Sequence, residues 1–192
     1  PYIEGSFQKK GWDAVNDLIK ASKEKDTISI TLNGAKVLPA TVLSEIKGKD
    51  ISLNLDMENG FIWKINGTSI TAETPADTDL SVTNTAEHIP AALYSLISTN
   101  QNDFGFHLGR NGAFDFPAVL SVKADVSCAG LMANLFWYDV ENGVLQCIQS
   151  VTVGGAFERS IPYAEFILSK GQDYFIAVSY THLRAHETDS YL

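Results

Sequence analysis

Cysteine is scarce in this chain, with only Cys128 and Cys147 among 192 residues. That excludes a disulfide framework and a four-cysteine zinc site. No apolar run approaches the ~20 residues needed to cross a bilayer as a helix, so no membrane insertion is expected within the chain. Basic residues are the minority, 14 Lys and Arg against 23 Asp and Glu, giving a net charge of −9. Such a chain repels phosphate backbones, and no nucleic-acid partner is expected. The sequence has no phosphate-binding glycine loop, no G-x-S-x-G and no paired catalytic carboxylates. Asp77, Asp79, Asp103 and Asp115 are scattered without calcium-loop spacing. The chain opens at Pro1 with neither an initiator methionine nor a signal segment, and is read as a piece cut at both ends.

What is present is ordinary globular composition, 45% hydrophobic and 19% charged, which argues against disorder and coiled coil. The length suits one medium domain or two small ones. Trp12, Val15, Leu18 and Ile19 recur at helical spacing, and Thr27 to Leu32 alternates as a half-buried strand closed by Asn33-Gly34. Pro39 suits the first turn of a second helix, with Val42, Leu43 and Ile46 inward and Gly48 as its C-cap. Ile51 to Met57, then Phe61 to Ile65, read as a hairpin about Asn59-Gly60. Beyond a polar stretch at 71–78 the chain reads mostly as strands. Phe104, Phe106 and Leu108 alternate, Arg110-Asn111-Gly112 is expected to turn, and Leu131–Tyr138 with Val144–Val153 forms a hairpin. Ile89-Pro90 to Ile97 reads equally as helical turn or loop. The fold expected is an α+β N-terminal unit (1–72), a linker (73–78) and an all-β sandwich (79–178), mainly β overall.

The cluster most like a site lies in the tail. His182 and His186 stand four apart, as metal ligands on a helix can, and Glu187 follows. However, residues 178–188 resemble one translated frame of a sequencing adapter. Residues 179–192 are therefore expected to be an artefactual, disordered tail of a metagenomic fragment, and no metal site is assigned there.

Three motifs recur together: Gly11-Trp12-Asp13-Ala14, the run Ile46-Lys47-Gly48-Lys49-Asp50-Ile51, and Trp63-Lys64-Ile65-Asn66-Gly67. With Ala133-Asn134-Leu135-Phe136-Trp137-Tyr138 and Asp173-Tyr174-Phe175-Ile176 they resemble a module of large surface proteins of Gram-positive gut anaerobes. The resemblance covers nearly all of residues 1–178 and carries over no catalytic or ligand residues. It implies a non-enzymatic, extracellular structural or adhesion module, associated with the cell surface or wall. The implied partners are neighbouring domains of the same protein, with glycans or host proteins as further candidates. The alternatives are a carbohydrate- or protein-binding module, or an accessory domain of a surface enzyme.

Candidate sites follow from side-chain placement. Trp63 and Trp137 share their strand faces with apolar neighbours and are expected in the core. Tyr138, opposite Trp137, is the one candidate ligand-binding residue, as an exposed sugar platform. Cys147 is expected opposite residues near Leu135, too far from Cys128 to bridge, so both read as small buried thiols. His107, between Phe106 and Leu108, and His88, in a polar loop, are both expected at the surface. Asn66-Gly67-Thr68 matches a glycosylation sequon but reads as coincidence. No catalytic residue, metal or cofactor is assigned.

Overall fold

A computed structural model of the chain describes residues 1–5, 9–98, 100–154 and 161–180. Strand accounts for 47% and helix for 18%, so the fold is mainly β: an α+β N-terminal part followed by β-sandwich-like strands. The chain divides into two compact units. One comprises Pro1–Val82, Gly109–Ser121 and Ile167–Gly171, and the other Thr83–Leu108, Val122–Phe166 and Gln172–Leu192.

In the first unit, β1 (Tyr2–Ile3) lies antiparallel to β2 (Thr27–Thr31), with helix α1 (Trp12–Ala21) between them in sequence. Asp13 in the first turn of α1 and Lys20 in its last match the helix dipole. Val15 and Ile19 are the buried positions of α1, while Trp12 at its start is half-buried. β3 (Val37–Leu38) and helix α2 (Ala40–Ile46) then lead to β4 (Ser52–Asp56). β2 and β4 pair in parallel, Thr27 opposite Ser52, because the intervening helix returns the chain to the same end of the sheet. β4 and β5 (Phe61–Asn66) form the expected hairpin, with Leu53 opposite Ile65 and Leu55 opposite Trp63. Glu58 and Gly60 take positive φ in its loop. The strand order runs β1-β2-β4-β5 and on to the unit's segments, 109–121 and 167–171, of two long strands described below.

Residues 73–78, expected as a linker, run against α2 inside this unit. Pro75 and Thr78 are buried. Thr78, in β6 (Thr78–Asp79), pairs with Leu38 of β3. The Asp77 carboxylate accepts from Ala40 N–H at 2.7 Å, and Lys47 Nζ donates to the Glu73 carbonyl at 3.1 Å. The sequence motifs meet beneath them. Gly48 N–H donates to the Gly67 carbonyl (2.9 Å) and Gly67 N–H to the Ile51 carbonyl (3.0 Å). Asn66 Nδ2 donates to Asp50 Oδ1 (2.9 Å) and Ser52 Oγ (3.0 Å).

β7 (Val82–Thr83) pairs with β8 (Phe104–Lys123), a single strand of 20 residues. The turn expected at Arg110–Gly112 is therefore not made. Gly112 has φ +81°, but one left-handed residue kinks a strand rather than reversing it. Arg110 Nε donates to the Ala113 carbonyl across the kink at 2.9 Å.

In the second unit, helix α3 (Ala91–Ile97) follows Pro90. β9 (Met132–Asp139) and β10 (Val144–Thr152) form the expected hairpin, with a register shift between Cys147 and Gln149. The Asp139 carboxylate holds the connecting turn, accepting from the backbone N–H groups of Glu141 and Asn142. β11 (Tyr163–Ser179) pairs with β9, from Tyr174 opposite Trp137 to Ser179 opposite Met132. The strand order here is β8-β11-β9-β10. Ile89, Ile97, Phe136, Tyr138, Leu145, Phe175 and Ala177 form a core cluster, and the half-buried Tyr94 ring packs against it.

Candidate functional site

The chemistry of the second unit concentrates around one buried carboxylate. Asp173 is fully buried on β11. Its Oδ1 lies 2.6 Å from His107 Nδ1. Its Oδ2 accepts from the backbone N–H of His88 and from Ile89 N–H, the latter at 3.2 Å. A buried charge is tolerated only with such compensation, and here it ties the loop before α3 to strand β8. With Nδ1–H donated to Asp173, the other ring nitrogen of His107 looks outward. His107 Nε2 lies 3.5 Å from Glu87 Oε2, and His88 Nε2 lies 3.9 Å from that same oxygen. The two imidazoles meet edge to face, 5.9 Å between ring centres.

Local packing fixes this geometry. Gly105, two residues before His107, lets the strand approach its neighbours. A Cβ there would lie 2.8 Å from Tyr94 Oη and 2.9 Å from Ala86 Cβ. Burial, and secondarily the Asp173 charge, pushes the Tyr94 hydroxyl pKa up, so it stays a neutral phenol. Phe106 stacks on Tyr174 on the far side of the strand, with centroids 5.3 Å apart.

A His–Asp pair suggests general-base catalysis, which places a hydroxyl, thiol or water at the free ring nitrogen. In this protein a carboxylate occupies that direction. Glu87, His88 and His107 instead bring three metal-capable atoms within 4.8 Å of one another, the one such group among the described residues.

No family model matches this chain, and neither does any curated protein or solved structure.

The structure redistributes the residues singled out in the sequence. His107 is buried, 8% exposed, rather than at the surface, because both faces of β8 are covered there. His88 is exposed as expected. Tyr138, expected as an exposed platform, is 7% exposed and packs in the core cluster, whereas Trp137 is half-buried. The hairpin faces are thus the reverse of those expected for this pair. Trp63 is in the core, 1% exposed, donating Nε1–H to the Leu80 carbonyl at 2.9 Å. Neither cysteine is in a disulfide; Cys128 is buried and Cys147 is half-buried opposite Phe136. Burial pushes the Cys128 thiol pKa up, the opposite of what a nucleophile needs.

The scattered aspartates have structural partners. Asp103 accepts from Val178 N–H (2.7 Å), Asp79 from Ser81 N–H (2.8 Å), and Asp115 pairs with Arg110 (3.4 Å). His182, His186 and Glu187 lie outside the described residues. Nothing in the sequence spacing marks Glu87, His88, His107 and Asp173 as a group, because pairing within the fold brings them together. The available signal was a histidine inside an otherwise apolar run, Phe106-His107-Leu108.

Proposed function

We propose that the chain is a non-enzymatic structural or adhesion module of a larger bacterial surface protein, holding its place beside neighbouring domains. The observation that carries this reading is the use made of the resembling motifs. Gly48, Asp50, Asn66 and Gly67 bond one another and the backbone around them. Their polar atoms secure the turn between α2 and β4 against the end of β5. Such residues specify a fold rather than a reaction. The acidic net charge and strand-rich body suit the same setting. Burial of Trp63 and Tyr138 removes two aromatics from any sugar platform and weighs against the binding-module alternative. Localisation at the cell surface rests on the resemblance.

The full chain, purified, is screened on a glycan array and against general ester, glycoside and peptide substrates. Neither binding nor turnover is expected. Hydrolysis that survives repurification would sink the module reading. Glycan binding lost in Trp137→Ala would promote the carbohydrate-binding alternative.

A further inference from the structure

We propose that Glu87, His88 and His107 form a binding site for one divalent transition-metal ion of the zinc class, with Asp173 as the residue that orients His107. The inference does not depend on the module reading.

Charge and lone pairs supply the first argument. Asp173 accepts the Nδ1 proton of His107, so in the neutral ring Nε2 presents a lone pair. It faces Glu87 Oε2 at 3.5 Å, and His88 Nε2 lies 3.9 Å from the same oxygen. The His107 lone pair and Glu87 Oε2 face one another, and His88 Nε2, in the tautomer that carries its proton on Nδ1, adds a third lone pair, so that one cation can be shared among them.

The second argument is dimensional. Metal bonds of about 2.0–2.2 Å to nitrogen and oxygen, in tetrahedral geometry, hold ligand atoms roughly 3.3–3.6 Å apart. The separations of 3.5 and 3.9 Å approach that spacing, and all three atoms fall within 4.8 Å. Closing the remaining gap falls to Glu87 and His88, which are about half exposed, with side chains 53% and 46% accessible. His107, 11% accessible along its side chain, is the fixed member.

The third argument is the support behind the ligands. A ligating histidine characteristically donates its other N–H to a carboxylate, which fixes the tautomer and raises the basicity of the ligating nitrogen. Asp173 does this for His107. It also accepts from the backbone N–H of His88 and of Ile89. One buried carboxylate therefore anchors both the strand and the loop that carry the ligands. Two imidazoles and one carboxylate suit zinc, cobalt or nickel better than calcium or magnesium, which favour all-oxygen sets. Three protein ligands leave a fourth position for water or for a side chain from another molecule.

The test uses the full chain carrying His182→Ala and His186→Ala, so that tail histidines add no zinc binding. Zinc is titrated by calorimetry, and cobalt is substituted to read its visible spectrum. One zinc per chain is expected, with tetrahedral cobalt bands and a thermal midpoint that rises with zinc. Glu87→Gln and His88→Ala, both at exposed positions, are each expected to keep the metal-free midpoint. Each should weaken zinc by about tenfold or more and reduce the zinc-dependent rise. Absence of stoichiometric zinc in the parent would overturn the proposal, as would affinity that either variant leaves within tenfold of the parent.

Discussion

A side chain at Gly67 would press into the carbonyl oxygens of Ile46 and Lys49, both of them backbone atoms with no freedom to swing aside. Gly67 is thus required by close approach rather than by φ, whereas Gly48 takes φ +78° with open space around it. Gly67→Ala must therefore push α2 away from the end of β5 or break the bonds between Gly48, Gly67 and Ile51. Overpacking of this kind costs about 1–3 kcal/mol, and more where backbone is the obstacle. The thermal midpoint is expected to fall by about 2–12 °C. An unchanged midpoint in differential scanning calorimetry would mean that the turn tolerates a shift. Residue-scale reading from sequence succeeded where one neighbour decides the outcome: Trp63 in the core, His88 exposed. It failed at His107 and Tyr138. Alternation tells which residues share a face, but not whether the opposite face is also covered.

Among the elements, α2 shows what sequence periodicity leaves out. The apolar positions Val42, Leu43 and Ile46 were legible, and all three are buried. The residue at its N-cap, Pro39, offers no side-chain acceptor. The acceptor comes instead from Asp77, 37 residues beyond Ala40, whose N–H donates to it. Losing it leaves an N–H at the helix start without its partner. Asp77→Ala is expected to cost about 0.5–2 kcal/mol, the range for helix N-caps, and Asp77→Asn distinctly less, since the amide oxygen still accepts. Urea midpoints of the two variants against the parent measure the difference. Equal losses would show that the charge, not the hydrogen bond, matters. The polar stretch 73–78 looked like a linker because its contacts are made by backbone, by one carboxylate and by a short ladder. None of these leaves a periodic trace. The β9–β10 hairpin and the β4–β5 hairpin were legible for the converse reason: each is closed by a local turn between alternating strands. β8 was misread at Gly112 because a glycine within a strand and a glycine within a turn look alike in sequence.

At the level of the whole molecule, the first compact unit is assembled from three separated stretches, ending with Ile167–Gly171. A piece of chain ending at Val82 therefore holds α1, α2 and β1-β2-β4-β5 but lacks the segments of β8 and β11 that complete the unit. Such a piece is expected to unfold without a sharp cooperative transition and with fast amide exchange in β5, in contrast to the full chain. A sharp calorimetric transition in residues 1–82 would show that the N-terminal elements suffice by themselves. The same threading has a consequence during synthesis on the ribosome. Chains emerge at about 5–20 residues per second, so β5 waits for β8, and the unit waits on the order of 5–20 s for residues 167–171. Throughout that interval the strand pairing Leu55 with Trp63 has an open edge, and the apolar face behind it is incompletely covered. The nascent protein thus passes through a half-made sheet whose unpaired edge is open to aggregation until the last strand arrives.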